Sequence, residues 1–171
     1  MFKVAPKARF FWPVALTLLS ADCATKRAVV ENIGPAYVPH DVAGNVVRFT
    51  LAYNREAAMS LPIGDTGRPL LIGVTLIALG MLARIYWRAG AHDRALALAT
   101  ALIIGGAAGN LADRLRWERG VVDFIDVGIG LHRFWVFNVA DIGISVGAAL
   151  LALVLWRRQA ADDAPLPLAQ R

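Results

Sequence analysis

Two carboxylates, Asp123 and Asp141, lie close in sequence within a largely apolar chain. Their settings read Val121-Val122-Asp123-Phe124-Ile125-Asp126 and Phe137-Asn138-Val139-Ala140-Asp141. An ionisable side chain is costly at bilayer depth unless it is paired or meets water, so two of them flanked by apolar residues point to use. If they meet at about 3 Å they cannot both ionise easily, and one keeps a proton. The charged member can then activate a water as general base. The protonated member can polarise a carbonyl and later protonate the leaving amine. Such a pair hydrolyses an amide without a metal, serine or cysteine nucleophile, as aspartic proteases do.

Other polar residues can reach the same level. Asp22 and Lys26 are four apart and share one helix face. A third segment ends Gly105-Gly106-Ala107-Ala108-Gly109-Asn110-Leu111-Ala112-Asp113-Arg114, and Asn138 precedes Asp141 at the start of a fourth. With alternating spans, three of them deliver these groups to one membrane depth. Each residue also has a plainer reading. Asp22 with Lys26 can be a neutralising ion pair that fixes helix rotation. The glycines fit close helix packing, and Asn110 fits a structural hydrogen bond. Arg114 can snorkel to headgroups or hold a lipid phosphate. Asp113 and Asp126 are expected to be solvated at an interface. Asp141 can cap a helix start.

The elements that must position these groups follow from hydropathy. The chain has 171 residues, 57% of them apolar and 18% charged, with mean hydropathy +0.52. Apolar runs cover about residues 10–30, 69–87, 95–113 and 137–156. A helix needs about 20 residues to cross the hydrocarbon, so four transmembrane helices are expected. Lys3, Lys7 and Arg9 before the first run resemble a signal-peptide n-region, and Leu19-Ser20-Ala21-Asp22-Cys23 resembles a damaged lipoprotein cleavage site. Asp22 stands where a small neutral residue is needed and the apolar run continues past it, so a retained first span is expected.

Four spans put both termini on one side. Lys3, Lys7, Arg9, Arg84, Arg88, Arg94, Arg157 and Arg158 mark that side as cytoplasmic, although the far side is also rich in Lys and Arg. Trp12, Trp87 and Trp156 would mark the inner interface, Trp117 and Trp135 the outer one. The net charge of +5 does not imply nucleic acid, because the basic residues flank spans instead of forming a stripe. Cys23 is the single cysteine and His40, His92 and His132 are scattered, so neither a disulfide nor a metal site is inferred.

Two outer segments remain. Residues 31–68 are long for a connection. Within them Val47, Phe49, Leu51 and Tyr53 alternate with Arg48 and Thr50, a strand pattern. Turn signals lie at Asn32-Ile33-Gly34-Pro35 and Gly64-Asp65-Thr66-Gly67. A small extramembrane β-sheet element, about 32–66, is expected on the outer surface. Residues 115–136 read as a second outer loop, and 160–171 as a frayed tail. The whole chain reads as one domain.

The blocks Asp22-Cys23-Ala24-Thr25-Lys26, Asn54-Arg55-Glu56-Ala57-Ala58-Met59-Ser60, Gly105 through Arg114, Val121 through Asp126, and Phe137 through Asp141 occur in the order found in lipoprotein signal peptidases. In these blocks and in its length the chain resembles that family, signal peptidase II, almost from end to end. The resemblance implies a bacterial inner-membrane aspartic endopeptidase. Such an enzyme removes the signal peptide of diacylglyceryl-modified prolipoproteins, cutting just before the lipidated Cys, without a cofactor. It implies Asp123 and Asp141 as the catalytic dyad. It further implies that Asn54, Gly106, Asn110, Arg114, Asn138 and Ala140 line the site or contact substrate and the cyclic-peptide inhibitor globomycin. Asp22 and Lys26 match a supporting pair, and the sheet would be the family's periplasmic cradle. One block departs: the family has Asn-x-Gly followed by an aromatic, where this chain has Glu56 and Met59. Glycine allows backbone conformations that Glu resists, so loop shape and substrate preference are open there.

The expectation is therefore an α-helical integral membrane protein with four spans and a small sheet, acting as a monomeric lipoprotein signal peptidase among membrane lipids. The alternative is a small proton-linked transporter with Asp141, Asp22 and Lys26 as relay groups. Clustering of the polar groups at one end argues against it. A non-catalytic lipid-binding or assembly subunit is a third reading.

Overall fold

The computed structural model describes residues 5–55 and 67–163. Glu56, Met59, the turn at Gly64-Asp65-Thr66 and the tail from residue 164 lie outside them. In chain order the elements are α1 (Pro6–Asn32), β1 (Pro39–Ala43), β2 (Val47–Asn54), α2 (Gly67–Arg88), α3 (Arg94–Arg116), β3 (Val121–Ile129), β4 (His132–Arg133) and α4 (Val139–Asp162). The last helix continues past the expected end at residue 156.

Among the described residues, α2, α3 and α4 are long and apolar enough to cross a membrane. Helix α1 has 27 residues but carries Lys7, Arg9, Asp22, Lys26, Arg27 and Glu31 along its length. Length and composition thus mark three spans, against the four expected.

Helix α3 is the axis of the bundle, packed against α1, α4 and α2. Small residues make this possible. A Cβ on Gly105 would come 2.7 Å from the Ala15 carbonyl oxygen of α1. One on Gly106 would come 2.5 Å from the Ala140 carbonyl oxygen of α4. Without Cβ atoms the backbones approach closely, the way membrane helices gain packing where lipid removes the hydrophobic drive. Helix α2 instead exposes Leu70, Val74, Leu76, Ile77 and Met81, an apolar surface suited to lipid.

The strands form one antiparallel sheet in the order β1-β2-β3-β4. Leu51 of β2 packs with Val122 and Phe124 of β3 and Val29 of α1, with Phe49, Tyr53 and Val139 around them. The alternating face of β2 is thereby turned onto the helices. Strand β3 arises inside the segment read from sequence as an outer loop. It escaped that reading because residues 121–124 are all buried. A strand covered on both faces gives a continuous run without the period-2 signal, and Asp123 interrupts even that run. Register pairs Asn54 with Val121 and Ala52 with Asp123, which brings the end of β2 beside the aspartate. The turn into β3 needs Gly120, whose φ of +89° and contact with the Asn54 carbonyl exclude a side chain.

Gly106→Ala tests the close helix seam. Alanine favours a helix by about 1 kcal/mol over glycine, but its methyl would strike α4 backbone, and overpacking costs about 1–3 kcal/mol. The melting temperature in detergent should fall. Gly73→Ala, with nothing within 4 Å of the added carbon, should leave it unchanged or slightly higher. Equal melting behaviour of the two variants would contradict the seam.

Candidate active site

The site forms where α3 ends, α4 begins and β3 crosses between them. Asn138 caps α4: its side-chain oxygen accepts from the Asp141 amide at 3.0 Å. The Asp141 carboxylate returns the bond, accepting from the Asn138 amide at 3.1 Å. This reciprocal capping box satisfies two helix-end donors, and it fixes the Asp141 rotamer at the start of the helix.

Asn138 is fully buried, and its amide nitrogen reaches the other carboxylate. It donates to Asp123 Oδ1 at 2.6 Å, to Asn110 Oδ1 at 3.1 Å and to the Val122 carbonyl at 3.3 Å. Asn110 of α3 donates from Nδ2 to Asp141 Oδ1 at 2.9 Å. Asn54, at the end of β2, donates to Asp123 Oδ2 at 3.1 Å. Two carboxylates and three amides from four elements thus make one connected network. Asp123 and Asp141 are brought together, with Asn54, Asn110 and Asn138 between and around them.

Asp123 is 4% exposed. Burial, reinforced by the nearby Asp141 charge, pushes its pKa up to about 7, against the pull of the Asn54 and Asn138 hydrogen bonds and of Lys26.

Both aspartates open onto a cavity of about 1080 Å³ that Asn54, Asn110 and Arg114 also line. Its remaining wall is largely aromatic and apolar, including Tyr53, Phe134, Trp135 and Ile144. Arg114 donates to the Asn110 carbonyl at 3.4 Å and presents a cation beside two carboxylates. Among the described residues, no group of three His, Cys, Asp or Glu could hold a metal ion.

The remaining expected site residues lie behind this wall. Gly106 and Ala140 meet at the α3–α4 seam, where their contact is helix packing. The Ala140 amide donates to Asp22 Oδ1 at 2.9 Å. Asp22 and Lys26 are buried and paired at 2.7 Å. Lys26 also pairs with Asp113 at 2.9 Å and donates to Asn110 Oδ1 at 2.8 Å.

Asp113 and Asp126 correct the expectation of solvated interface residues. Asp113 holds Lys26 and accepts from the Val122 amide at 3.3 Å. Asp126 is buried, accepts from Thr50 at 3.0 Å and pairs with Arg133 at 2.5 Å. Arg133 further donates to the Asn45 carbonyl at 2.9 Å and the Asp126 carbonyl at 3.0 Å, clasping the sheet. A buried acid needs such partners. Sequence alone offered only the Asp-x-x-Asp repeat of β3, whose opposite-face meaning depends on knowing that it is a strand.

Known proteins resemble this chain over most of its length. The family model described as Signal peptidase (SPase) II matches residues 14–157. A lipoprotein signal peptidase of Geobacter metallireducens is 38% identical over 162 residues, covering 92% of this chain and 99% of the relative. One from Halothermothrix orenii is 36% identical over 152 residues, covering 88% and 97%. Two bacterial membrane enzymes solved by the in meso method share the fold. One has a TM-score of 0.77 at 24% identity, covering 90% of this chain and 92% of the other. The second has 0.72 at 26%, covering 83% and 89%. With the family model spanning most of its length and relatives matching nearly end to end, this chain belongs to the signal peptidase II family of membrane peptidases.

Proposed function

We propose that the chain is an aspartic endopeptidase that removes signal peptides from diacylglyceryl-modified prolipoproteins, cutting just before the lipidated Cys. The observation that carries this reading is the pair Asp123 and Asp141, bound through shared asparagine amides and opening onto one cavity. A water between the two carboxyl groups would be activated by the charged one. The protonated one would donate to the scissile carbonyl and the proton would finally reach the leaving amine. Substrate is presented from the bilayer: the apolar signal helix stays in lipid and the mature segment leaves over the sheet. Arg114, Asn54 and the aromatic wall are suited to hold the peptide or the acyl-glyceryl group.

In this reading α1 is a fourth span. Its charged interior face, Asp22 and Lys26, is paired within the protein and meets the requirement for ionisable groups at depth. The protein would lie in the bacterial inner membrane with both termini cytoplasmic and the dyad toward the periplasm. Gly106 and Ala140 act by setting the α3–α4 distance, and globomycin would occupy the cavity.

The test is a gel-shift assay with purified protein in detergent. The substrate is a diacylglyceryl-modified prolipoprotein, run beside its unlipidated form and with globomycin. Cleavage should depend on the lipid and stop with globomycin. Asp123→Asn and Asp141→Asn should each lower the rate by about 10²–10⁴-fold or more while melting cooperatively. Near-normal turnover by either variant would remove the dyad assignment.

The pH profile gives a second check. Asp123 has a pKa raised from 3.8 to about 7, so the singly protonated dyad exists below that value and loses its proton above it. The rate should therefore decline on the alkaline side of pH 7, by about tenfold per unit in the limit. A rate still rising from pH 7 to 9 would contradict a protonated Asp123 as the acid.

A further inference from the structure

Arg119 lines the same cavity as the two aspartates, yet it belongs to no hydrogen bond of their network. A tight turn carries it: the Gly120 amide donates to the Trp117 carbonyl at 3.3 Å. Gly120 then enters β3 against the Asn54 carbonyl, so the residue before it is fixed where β2 ends and β3 begins. There the guanidinium carbon lies 4.9 Å from the centre of the Trp117 ring and 4.6 Å from that of Tyr53 on β2. Two aromatic rings thus hold a long, flexible side chain in one place.

The rings supply no strong acceptor. A guanidinium stays charged at any working pH and carries five N–H donors. The Nε of Arg119 is closed off from solvent without a hydrogen-bond partner. None of the ion pairs among the described residues includes Arg119, and its chain neighbour Glu118 is exposed and unpaired with it. A half-buried charge is ordinarily matched by an opposite one. Here the matching anion has to enter the cavity. Arg55 and Arg114 line the cavity as well, so its field favours negative charge. With Nε covered, a carboxylate would meet the two Nη groups end-on, the planar fork that suits it.

The position of Arg119 says which part of a substrate would bring that anion. Ile144 and Ser145 of α4, a helix apolar enough to cross a membrane, give the cavity its membrane-ward lining. Arg119 belongs to the sheet side, with Tyr53 and Val121, over which the mature segment leaves. It precedes Asp123 by four residues, at most about 14 Å of extended chain. A peptide extended from the dyad covers that distance in about four residues.

We propose that Arg119 is a specificity-determining residue that selects substrates with an acidic side chain among the first four residues after the lipidated Cys. The substrate preference rests on the peptidase reading and deepens it; the anion site does not depend on it.

The test uses the full chain in detergent and lipidated prolipoproteins with Asp at each of the four positions after the Cys in turn, each beside its Asn counterpart. At one position at least, the wild type should favour Asp by about tenfold or more in kcat/KM, and the preference should shrink as salt is raised. Arg119→Gln should bring the two substrates to within about twofold by slowing the Asp substrate alone. Arg119→Lys, which keeps the charge but not the fork, should fall between. A wild type indifferent to charge at all four positions would overturn the proposal without any variant. So would an Arg119→Gln that slows both substrates equally, the mark of a structural role. Activity that follows added anionic phospholipid through Arg119, with substrate charge immaterial, would overturn it in favour of a lipid phosphate. Binding of diacylglyceryl-Cys peptides with Asp or Asn at the same position separates failure of the peptidase reading. A protein that cleaves no prolipoprotein but binds the Asp lipopeptide more tightly through Arg119 would lose the peptidase reading and keep the anion site. Equal binding of the two lipopeptides by the wild type would overturn the site, whether or not cleavage occurs.

Discussion

With no exposed surface, the Asn138 side chain must meet its hydrogen-bonding needs inside the protein, and it does so with groups from three elements. Its oxygen closes the first turn of α4, while its nitrogen reaches Asp123 and the Val122 carbonyl on β3 and Asn110 on α3. An unsatisfied amide in such a place would cost about 1–3 kcal/mol for each lost partner. The strand, the two helices and the aspartates are therefore not independently placed. A shift of β3 relative to α4 would break the bond to Asp123 and the bond to the Val122 carbonyl together.

The same joint explains how two like charges can be held near one another. Each carboxylate is surrounded by amide donors that would stabilise its ionised form, yet burial and mutual repulsion oppose ionising both. The outcome for Asp123 is a pKa raised to about 7. Behind this pair lies a second layer with the opposite character, in which Lys26 is compensated by Asp22 and Asp113. Removing one member of such a buried set leaves a charge without its partner and is costlier than the set itself. This buried set of charges is thus poorly tolerant of change at any one member.

Much of this could be read from sequence, for identifiable reasons. Hydropathy marks α2, α3 and α4, because a helix facing lipid must be apolar along most of its length. Alternation marks β2, because one of its faces packs on α1 and the other is less covered. The polar residues Asp22, Lys26, Asn110, Asn138 and Asp141 stand out because apolar helices offer them no other use. What escaped was β3 and everything depending on it. Its buried run hides the period of a strand, so neither the pairing of Asp123 with Ala52 nor the split of Asp123 and Asp126 to opposite faces could be seen. The partners of Asp113 and Asp126 escaped for a related reason: Lys26 and Thr50 are distant in sequence, and Arg133 returns to Asp126 only through the β3–β4 pairing.

The division of labour between helices and sheet follows from what each environment permits. A backbone that leaves regular structure inside hydrocarbon loses hydrogen-bond partners it cannot replace. The helices can therefore bring side chains to the membrane edge, but they cannot supply an irregular cleft there. The sheet begins where that constraint ends. Strand β3 lays Asp123 across the helix tips, β2 adds Asn54, and Arg133 ties β3 to the turn before β2 through Asp126 and the Asn45 carbonyl. Asp141 comes from a capped helix start and Asp123 from a strand, and at the junction of the two both carboxylates are partly shielded and still line one cavity.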